Sequence, residues 1–395
     1  MSSEINFLSK RMQNLHPYVP GEQPKDRVYI KLNANENPYP PSSKVVEAVR
    51  AAVKSNPEKM ALYPDPDSYE MRKAIAKMLN DCGGVLCRAN LDGGKKNGSG
   101  AKVSPSAADK IPFEVTPEMI YAGNGSDEVL SFVFYAFFDS DRELVLPEHT
   151  YSFYPVYAGF YSVPMDKVPL NSDWTLNKEK MLSDANKNDS GIIFANPNAP
   201  TSLGITRDEV REMLEKAPKD KIFVVDEAYV DFGGESSIPL LKDFKNLVIV
   251  RTTSKSLCGA GQRIGYLVAN PELVNAVTTV KNSLNHFPLD FVAQTAGKAA
   301  CEDVGYYVKC AQSVAFERDE FIDFLRSKNW FVLDSQTNFI FCKKDGVPGK
   351  ETYQKIKKAG ILVRHFDTPG IEEFLRITVG TREQMQKLRE VMETI

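Results

Sequence analysis

Histidine is scarce in this chain and paired cysteine is missing. Its 395 residues hold four histidines, far apart, and six cysteines at 82, 87, 258, 301, 310 and 342, with no Cys-x-x-Cys pair. That spacing fits neither a zinc site nor a disulfide framework, so no metal is expected and the thiols, Cys258 included, read as reduced and structural. No apolar run approaches the roughly 20 residues that span a bilayer. Met1–Lys10 carry no apolar stretch of signal-peptide length, which makes the cytoplasm the expected location. A net charge of −3 offers no electrostatic footing for nucleic acid or anionic membrane. Internal repeats and a Walker phosphate loop are also missing.

What is present is an ordinary soluble-enzyme composition, 42% hydrophobic and 26% charged, on a chain long enough for two domains. Apolar runs of strand length alternate with amphipathic helical segments, a pattern that predicts an α/β sheet with crossovers. The expected strands are Leu144–Leu146, Gly191–Ala195, Ile222–Val225, Leu247–Arg251 and Gly265–Ala269. Thr206-Arg-Asp-Glu209 reads as a capping box, and Ser126-Asp-Glu128 opens an apolar helix through Phe138. Ligands collect beyond the carboxyl ends of such strands, which places Pro147, Asn196, Asp226 and Ser254 around one crevice. After about Phe291 the pattern changes. A long helix, Val304–Ser327, precedes short strands at Phe331–Leu333, Phe339–Cys342, Ile361–His365 and Leu375–Val379, and a last capping box begins at Thr381. Residues 82–115, rich in Gly, Lys and Ser around Gly93–Gly100, read as a flexible surface insertion.

The chemistry concentrates near Lys255, in Arg251-Thr-Thr-Ser-Lys-Ser-Leu-Cys-Gly-Ala-Gly-Gln-Arg263. Upstream, an apolar run ends in Asp226-Glu-Ala-Tyr229. A lysine, an acid and a tyrosine, each just past a buried strand, are what a pyridoxal-phosphate site requires. The lysine bonds to the cofactor aldehyde, the carboxylate keeps the pyridine nitrogen protonated, and the phenol donates to the ring oxygen. The phosphate needs several donors. Gly125-Ser126-Asp127 opens a helix whose free N–H groups favour an anion, Ser254 adds a hydroxyl, and Arg263 a planar fork.

These pieces, with Lys31-Leu-Asn-Ala-Asn-Glu-Asn-Pro-Tyr39, Tyr63-Pro-Asp65, Asn196-Pro-Asn-Ala-Pro-Thr201 and Leu375-Arg-Ile-Thr-Val-Gly-Thr-Arg-Glu383, stand in an order that resembles the histidinol-phosphate aminotransferase family, over nearly the whole chain. The resemblance implies a pyridoxal-phosphate-dependent transferase of fold type I. A large domain, residues 46–285, would hold a mostly parallel seven-stranded sheet between helices. A smaller α+β domain would cover 286–395, with residues 1–45 as an arm packed on it.

The resemblance also implies roles. Lys255 would serve as covalent and proton-transfer residue, and Tyr151 would stack on the ring. Ala199 stands where the family usually has an asparagine that donates to the ring oxygen, so Asn198 or Asn196 is expected to compensate and Tyr229 to carry more of that load. Arg376 would hold the substrate carboxylate or the group in its place; Tyr18 and Arg364 would form a phosphate-facing end, bordered by Asn35 and Glu36. Tyr63 would reach the cofactor phosphate of a second subunit, making the enzyme a homodimer with shared sites. The implied reaction moves an amino group between L-histidinol phosphate and 2-oxoglutarate by a ping-pong cycle. A threonine-phosphate decarboxylase-like lyase and an aromatic amino acid aminotransferase share the same cofactor site and stay open. A DNA-binding regulator on this fold is disfavoured, because too little chain precedes Lys31 for a recognition module.

Overall fold

Runs such as Phe-Val-Val at 223–225 and Leu-Val-Ile-Val at 247–250 have no polar face, so their strands need cover on both sides. The computed structural model describes residues 21–87, 110–188 and 190–395, together with 7, 9, 11, 12 and 15–18, and it buries both runs completely. The chain enters through β1 (Ile30–Lys31), α1 (Ser43–Ser55) and α2 (Tyr69–Cys82). A central sheet follows, built from β2 (Ile120–Asn124), β3 (Leu144–Pro147), β4 (Met165–Val168), β5 (Ile192–Ala195), β6 (Phe223–Asp226), β7 (Leu247–Thr252) and β8 (Ile264–Ala269). Their spatial order is β2-β8-β7-β6-β5-β3-β4. β8 runs antiparallel to both neighbours, and the pairs from β7 to β4 are parallel. This is the mostly parallel seven-stranded sheet that the sequence led us to expect.

Alternation along the strands feeds two apolar layers. Val224, Val248 and Val250 pack with α3 (Gly125–Phe137), α4 (Tyr154–Tyr161) and α7 (Pro271–Leu284). Phe223, Val225 and Ile249 point the other way, toward α2, α6 (Arg207–Lys216) and α8 (Phe291–Glu302), while α5 (Lys178–Asn188) adds Met181 and Leu182 to the same layer. Each such side chain, removed from water, contributes roughly 1.5–3 kcal/mol. The helix starts follow their caps. Thr206 accepts from Glu209 N while Glu209 returns the bond, and Thr381 with Gln384 repeats the arrangement at α11 (Arg382–Met392).

Beyond α9 (Val304–Ser327), an antiparallel sheet of order β12-β13-β10-β9 forms from β9 (Phe331–Val332), β10 (Phe339–Lys343), β12 (Arg364–His365) and β13 (Leu375–Thr378). It is joined by α10 (Gly349–Lys358) and α11. The single strand expected over 361–365 is broken at Val363. Its first half, β11 (Ile361–Leu362), pairs in parallel with β1 instead, and Leu32 joins the apolar cluster of this second layer. The change of packing falls inside α9 and not at residue 286: Ala293, Ala296, Ala300 and Tyr307 belong to the core of the large sheet, while Ala311 and Val314 belong to the second layer. The surface-loop reading of 82–115 also needs correction at its ends, because Val85, Leu86, Cys87 and Val115 are buried. Residues 88–109, its centre, lie outside the described residues.

Candidate active site

β2, β3, β5, β6 and β7 all end on one side of the sheet, and the loops that leave them build two adjoining cavities of about 350 and 380 Å3. Lys255, Tyr229, Tyr151, Ala199 and Ala34 line both, so Lys255 stands where they meet.

The smaller cavity ends on a cradle for an anion. Gly125 opens α3 at φ +79°, and a Cβ there would lie 2.6 Å from Arg263 Nη2. A Cβ on Gly265 would lie 2.2 Å from Ser126 N. Both positions therefore need glycine for close approach, and Gly125 also for its backbone. Asn124 places no side chain over the first N–H groups of α3, which leaves them for a ligand. Ser254 is held beside them by Thr252, whose Oγ1 accepts from Ser254 N at 3.1 Å. Arg263 is in the left-handed region at φ +53° and donates to Asp127 Oδ2 at 3.1 Å. Tyr151 donates to the other oxygen of Asp127 at 2.9 Å.

Asp226, 4% exposed, lines the same cavity. It accepts from Tyr154 Oη at 2.8 Å and from Ala228 N at 3.1 Å. Burial, with the carboxylates of Asp127 and Glu227 adding repulsion, pushes its proton affinity up to about 6 against the two hydrogen bonds. Among the described residues no cation pairs with it, so the cavity presents a buried carboxylate lacking its counter-ion. A cradle for a dianion, a buried carboxylate and a lysine on one cavity suit the phosphate, ring nitrogen and aldehyde of pyridoxal phosphate.

Tyr229 lies edge-on to Phe339 at 5.0 Å, and its hydroxyl accepts from Asn35 Nδ2 at 3.0 Å. Lys255 Nζ stands 5.7 Å from the centre of the Tyr229 ring and donates to Ala34 O at 3.3 Å. Asn37 Nδ2 donates to the carbonyl of Lys255 at 2.9 Å, which ties the segment after β1 over the lysine. Asn198 does not face this space. Its amide donates to His149 O and Thr201 Oγ1 at 2.9 and 3.0 Å and accepts from Thr150 Oγ1 at 2.9 Å. Asn196 is likewise spent on Ile205, and only Ala199 and Pro200 of the turn reach the cavities. The expected compensation by Asn198 or Asn196 therefore fails, because both amides hold the turn together.

The larger cavity is cationic. Lys31, Lys167, Arg364 and Arg376 line it together with Lys255, against a single carboxylate, Glu148. Arg376 lies over the rings of Phe339 and Phe366, donates weakly to Asn33 O at 3.4 Å and keeps Nε shielded without a partner. Burial holds its proton affinity below the usual guanidinium range. An arginine so placed calls for an anionic ligand. Tyr18, against Phe153 at 5.0 Å, and Asn35 complete this wall, and Glu36, paired with Lys31 at 2.7 Å, borders the smaller cavity. Tyr63 lines neither cavity. It is 83% exposed and stacks on Phe287 at 4.5 Å.

Sequence reading missed Tyr154, Thr252 and Asn37. A periodicity signal existed for Tyr154, which follows Tyr151 by three residues at a helix start and so shares its face. Cys258 faces Cys310 and lines neither cavity, and no His, Cys, Asp or Glu cluster among the described residues could hold a metal. No helix among them is long and apolar enough to cross a membrane.

Residues 27–392 match the family model described as aminotransferase class I and II. The chain is 40% identical to the histidinol-phosphate aminotransferase of Syntrophus aciditrophicus, over 99% of this chain and 98% of that one. It is 39% identical to the enzyme of that name from Acinetobacter baumannii, with 99% and 98% covered. In fold it resembles the histidinol-phosphate aminotransferase of Sinorhizobium meliloti, solved in complex with pyridoxal-5'-phosphate, with a TM-score of 0.81 at 20% identity and 99% of both chains covered. A Thermus thermophilus aspartate aminotransferase variant superposes with a TM-score of 0.75 at 19% identity, covering 97% of this chain and 99% of that one.

Proposed function

Since this chain belongs to the class I and II aminotransferases, which depend on pyridoxal phosphate, we propose that it moves the amino group of L-histidinol phosphate to 2-oxoglutarate, yielding imidazole acetol phosphate and L-glutamate for histidine biosynthesis. The observation that carries the reading is the position of Lys255, at the junction of an anion cradle closed by Asp226 and a cationic cavity holding Arg376. Both proposed substrates are anionic, one a phosphate ester and the other a dicarboxylate, and the five cations against one carboxylate suit either.

In this reading the N–H groups of Ser126 and Asp127, Ser254 Oγ and Arg263 hold the cofactor phosphate. Asp226 would pair with the ring nitrogen, Tyr151 would lie against the ring, and Tyr229 would donate to the ring oxygen. Pyridoxal phosphate, when bound, supplies an electron-accepting ring that stabilises negative charge at the substrate α-carbon. Lys255 would hold the cofactor through its Nζ, and its free amine would take the proton from the substrate α-carbon. Arg376, Arg364 and Tyr18 grip the substrate's anionic groups and so fix the α-carbon beside that amine, while Asn35 holds the Tyr229 hydroxyl in place. Ala34, which lines both cavities, and Phe366, which lines the larger one, would narrow the space left for water beside the substrate. Tyr63, which its own cavities do not use, reaches the cofactor phosphate of a second copy, so the working unit is a homodimer, and the cytoplasm is its proposed location.

The test is the visible spectrum of the purified protein. The absorbance of the bound cofactor should fade when L-histidinol phosphate is added and return with 2-oxoglutarate. Lys255→Ala should abolish this and reduce turnover by several orders of magnitude. A spectrum that ignores histidinol phosphate but responds to phosphothreonine or an aromatic amino acid would replace the substrate. A protein that takes up no pyridoxal phosphate would overturn the reading from Lys255 outward.

A further inference from the structure

Resting on the assignment of Asp226 to the ring nitrogen, we propose that Tyr154 is a positioning residue that keeps the Asp226 carboxylate ionised and aimed into the cofactor cavity. Tyr154 is the first residue of α4 and is 0% exposed. Its hydroxyl gives its hydrogen to Asp226 Oδ2 at 2.8 Å, and its ring is fixed edge-on against Tyr151 at 5.4 Å and 84°. Ala228 N holds the other oxygen at 3.1 Å. One donor on each oxygen fixes the orientation of the carboxylate, which lines the cavity.

The surroundings explain why a donor is needed. From α3, Asp127 repels a charge on Asp226, and Glu227 does so from the adjoining chain position. Glu227 is itself neutralised by Arg251, whose Nη2 lies 2.7 Å from its Oε2, so that guanidinium is committed elsewhere. Tyr157, one turn along α4, points its hydroxyl at Asp127 Oδ1 at 3.5 Å, and Tyr151 also donates to Asp127. Lys255 faces the same cavity but donates to Ala34 O. Apart from the Ala228 N–H, the Tyr154 hydroxyl is therefore the group that stabilises the ionised form directly. Burial lifts the phenol far above its ordinary proton affinity, so Tyr154 stays a donor throughout the pH range in which the protein is folded. A hydrogen bond to the charged form favours that form, and loss of one donor should raise the pH at which Asp226 ionises.

The experiment measures pyridoxal phosphate binding to the cofactor-free protein by fluorescence quenching, from pH 5 to 8.5, for the wild type, Tyr154→Phe and Tyr157→Phe. Wild-type affinity should weaken as pH falls through about 6, where Asp226 gains its proton. Tyr154→Phe should move that midpoint up by about one unit, making binding roughly fivefold weaker near pH 6 and about tenfold weaker near pH 5, with the difference narrowing toward pH 8.5. Tyr157→Phe, which removes a hydroxyl from the same helix that bonds to Asp127 and not to Asp226, should move the midpoint much less than Tyr154→Phe does. A 3-fluorotyrosine at position 154, a stronger donor of the same shape, should move the midpoint down, and this arm decides the matter if Tyr154→Phe does not fold. An unmoved midpoint in Tyr154→Phe, or equal shifts in both phenylalanine variants, would overturn the proposal while wild-type binding left the cofactor assignment standing. No wild-type binding at any pH would remove both.

Discussion

A carboxylate buried near other carboxylates destabilises the folded chain until a cation arrives, and at Asp226 the sign can be worked out. Folding raises its proton affinity from 3.8 to about 6, so between those values the folded protein binds a proton that the unfolded chain has released. Stability is therefore fullest below about pH 4 with respect to this group and is lost as pH rises through 6, by roughly 3 kcal/mol. The cofactor-free protein should show a urea midpoint that declines over that window, and Asp226→Asn should remove much of the decline. Pyridoxal phosphate should restore the wild type most strongly above pH 6, because its ring nitrogen pairs with the charge. Arg376 poses the converse case, a cation awaiting an anion. Arg376→Lys keeps the charge but loses the fork, so KM for histidinol phosphate should rise at least tenfold with a smaller change in kcat. An unchanged KM would assign Arg376 to structure. Sequence alone placed Asp226 and Ser254, with Pro147 and Asn196, around one crevice, because each follows an apolar run whose end must face the same way. It misjudged Asn198, since only the fold shows that Thr150 and His149 from another loop consume its amide. It passed over Tyr154, whose value depends on an oxygen 72 positions away.

At the scale of elements, the anion cradle depends on how closely α3 approaches β8. Gly265 permits that approach, and a methyl group there would lie 2.2 Å from Ser126 N, against backbone that cannot easily move. Gly265→Ala should push the start of α3 off the sheet and weaken cofactor binding by tenfold or more, measured by dialysis against free pyridoxal phosphate. If affinity holds, the cradle does not rely on that contact. Thr206→Ala at the start of α6 should cost about 1 kcal/mol in urea unfolding while leaving KM and kcat alone, since its capping box lies outside both cavities. The buried strands and both capping boxes were legible because runs of Val, Ile and Leu and the Thr-x-x-Glu/Gln spacing are local signals. β2 and β4 were not: Ile-Tyr-Ala-Gly-Asn carries a glycine, and Met-Asp-Lys-Val at the sheet edge carries two charges. The break at Val363 was also invisible, because the partner of Ile361–Leu362 is a two-residue strand some 330 positions earlier.

For the whole molecule, Met60, Leu62 and Tyr63 lie on one segment and are each more than 60% exposed, a concentration of apolar surface that suits a second copy. Sedimentation should give twice the 44.1 kDa of one chain. Tyr63→Ala should weaken cofactor binding about tenfold even though Tyr63 lines no cavity of its own chain, and an active monomer would refute the shared site. Packing divides the molecule within α9, a boundary that composition could not locate, because α8 and α9 carry apolar faces that look alike in sequence and differ only in the layer they meet.

The pairing of β1 with β11 has a consequence for how the protein is made. Leu32, Asn33 and Asn35 leave the ribosome early, whereas their partners Leu362, Arg376 and Thr378 emerge more than 300 residues later. The central sheet can close on a growing chain, with Lys255 and Asp226 already in place. The segment that covers Lys255 gains its anchor only after β11 and β13 have emerged, well after Lys255 itself. A nascent chain would thus carry an uncovered amine between a finished anion cradle and an open wall, and a chain truncated before residue 375 could not close over its cofactor.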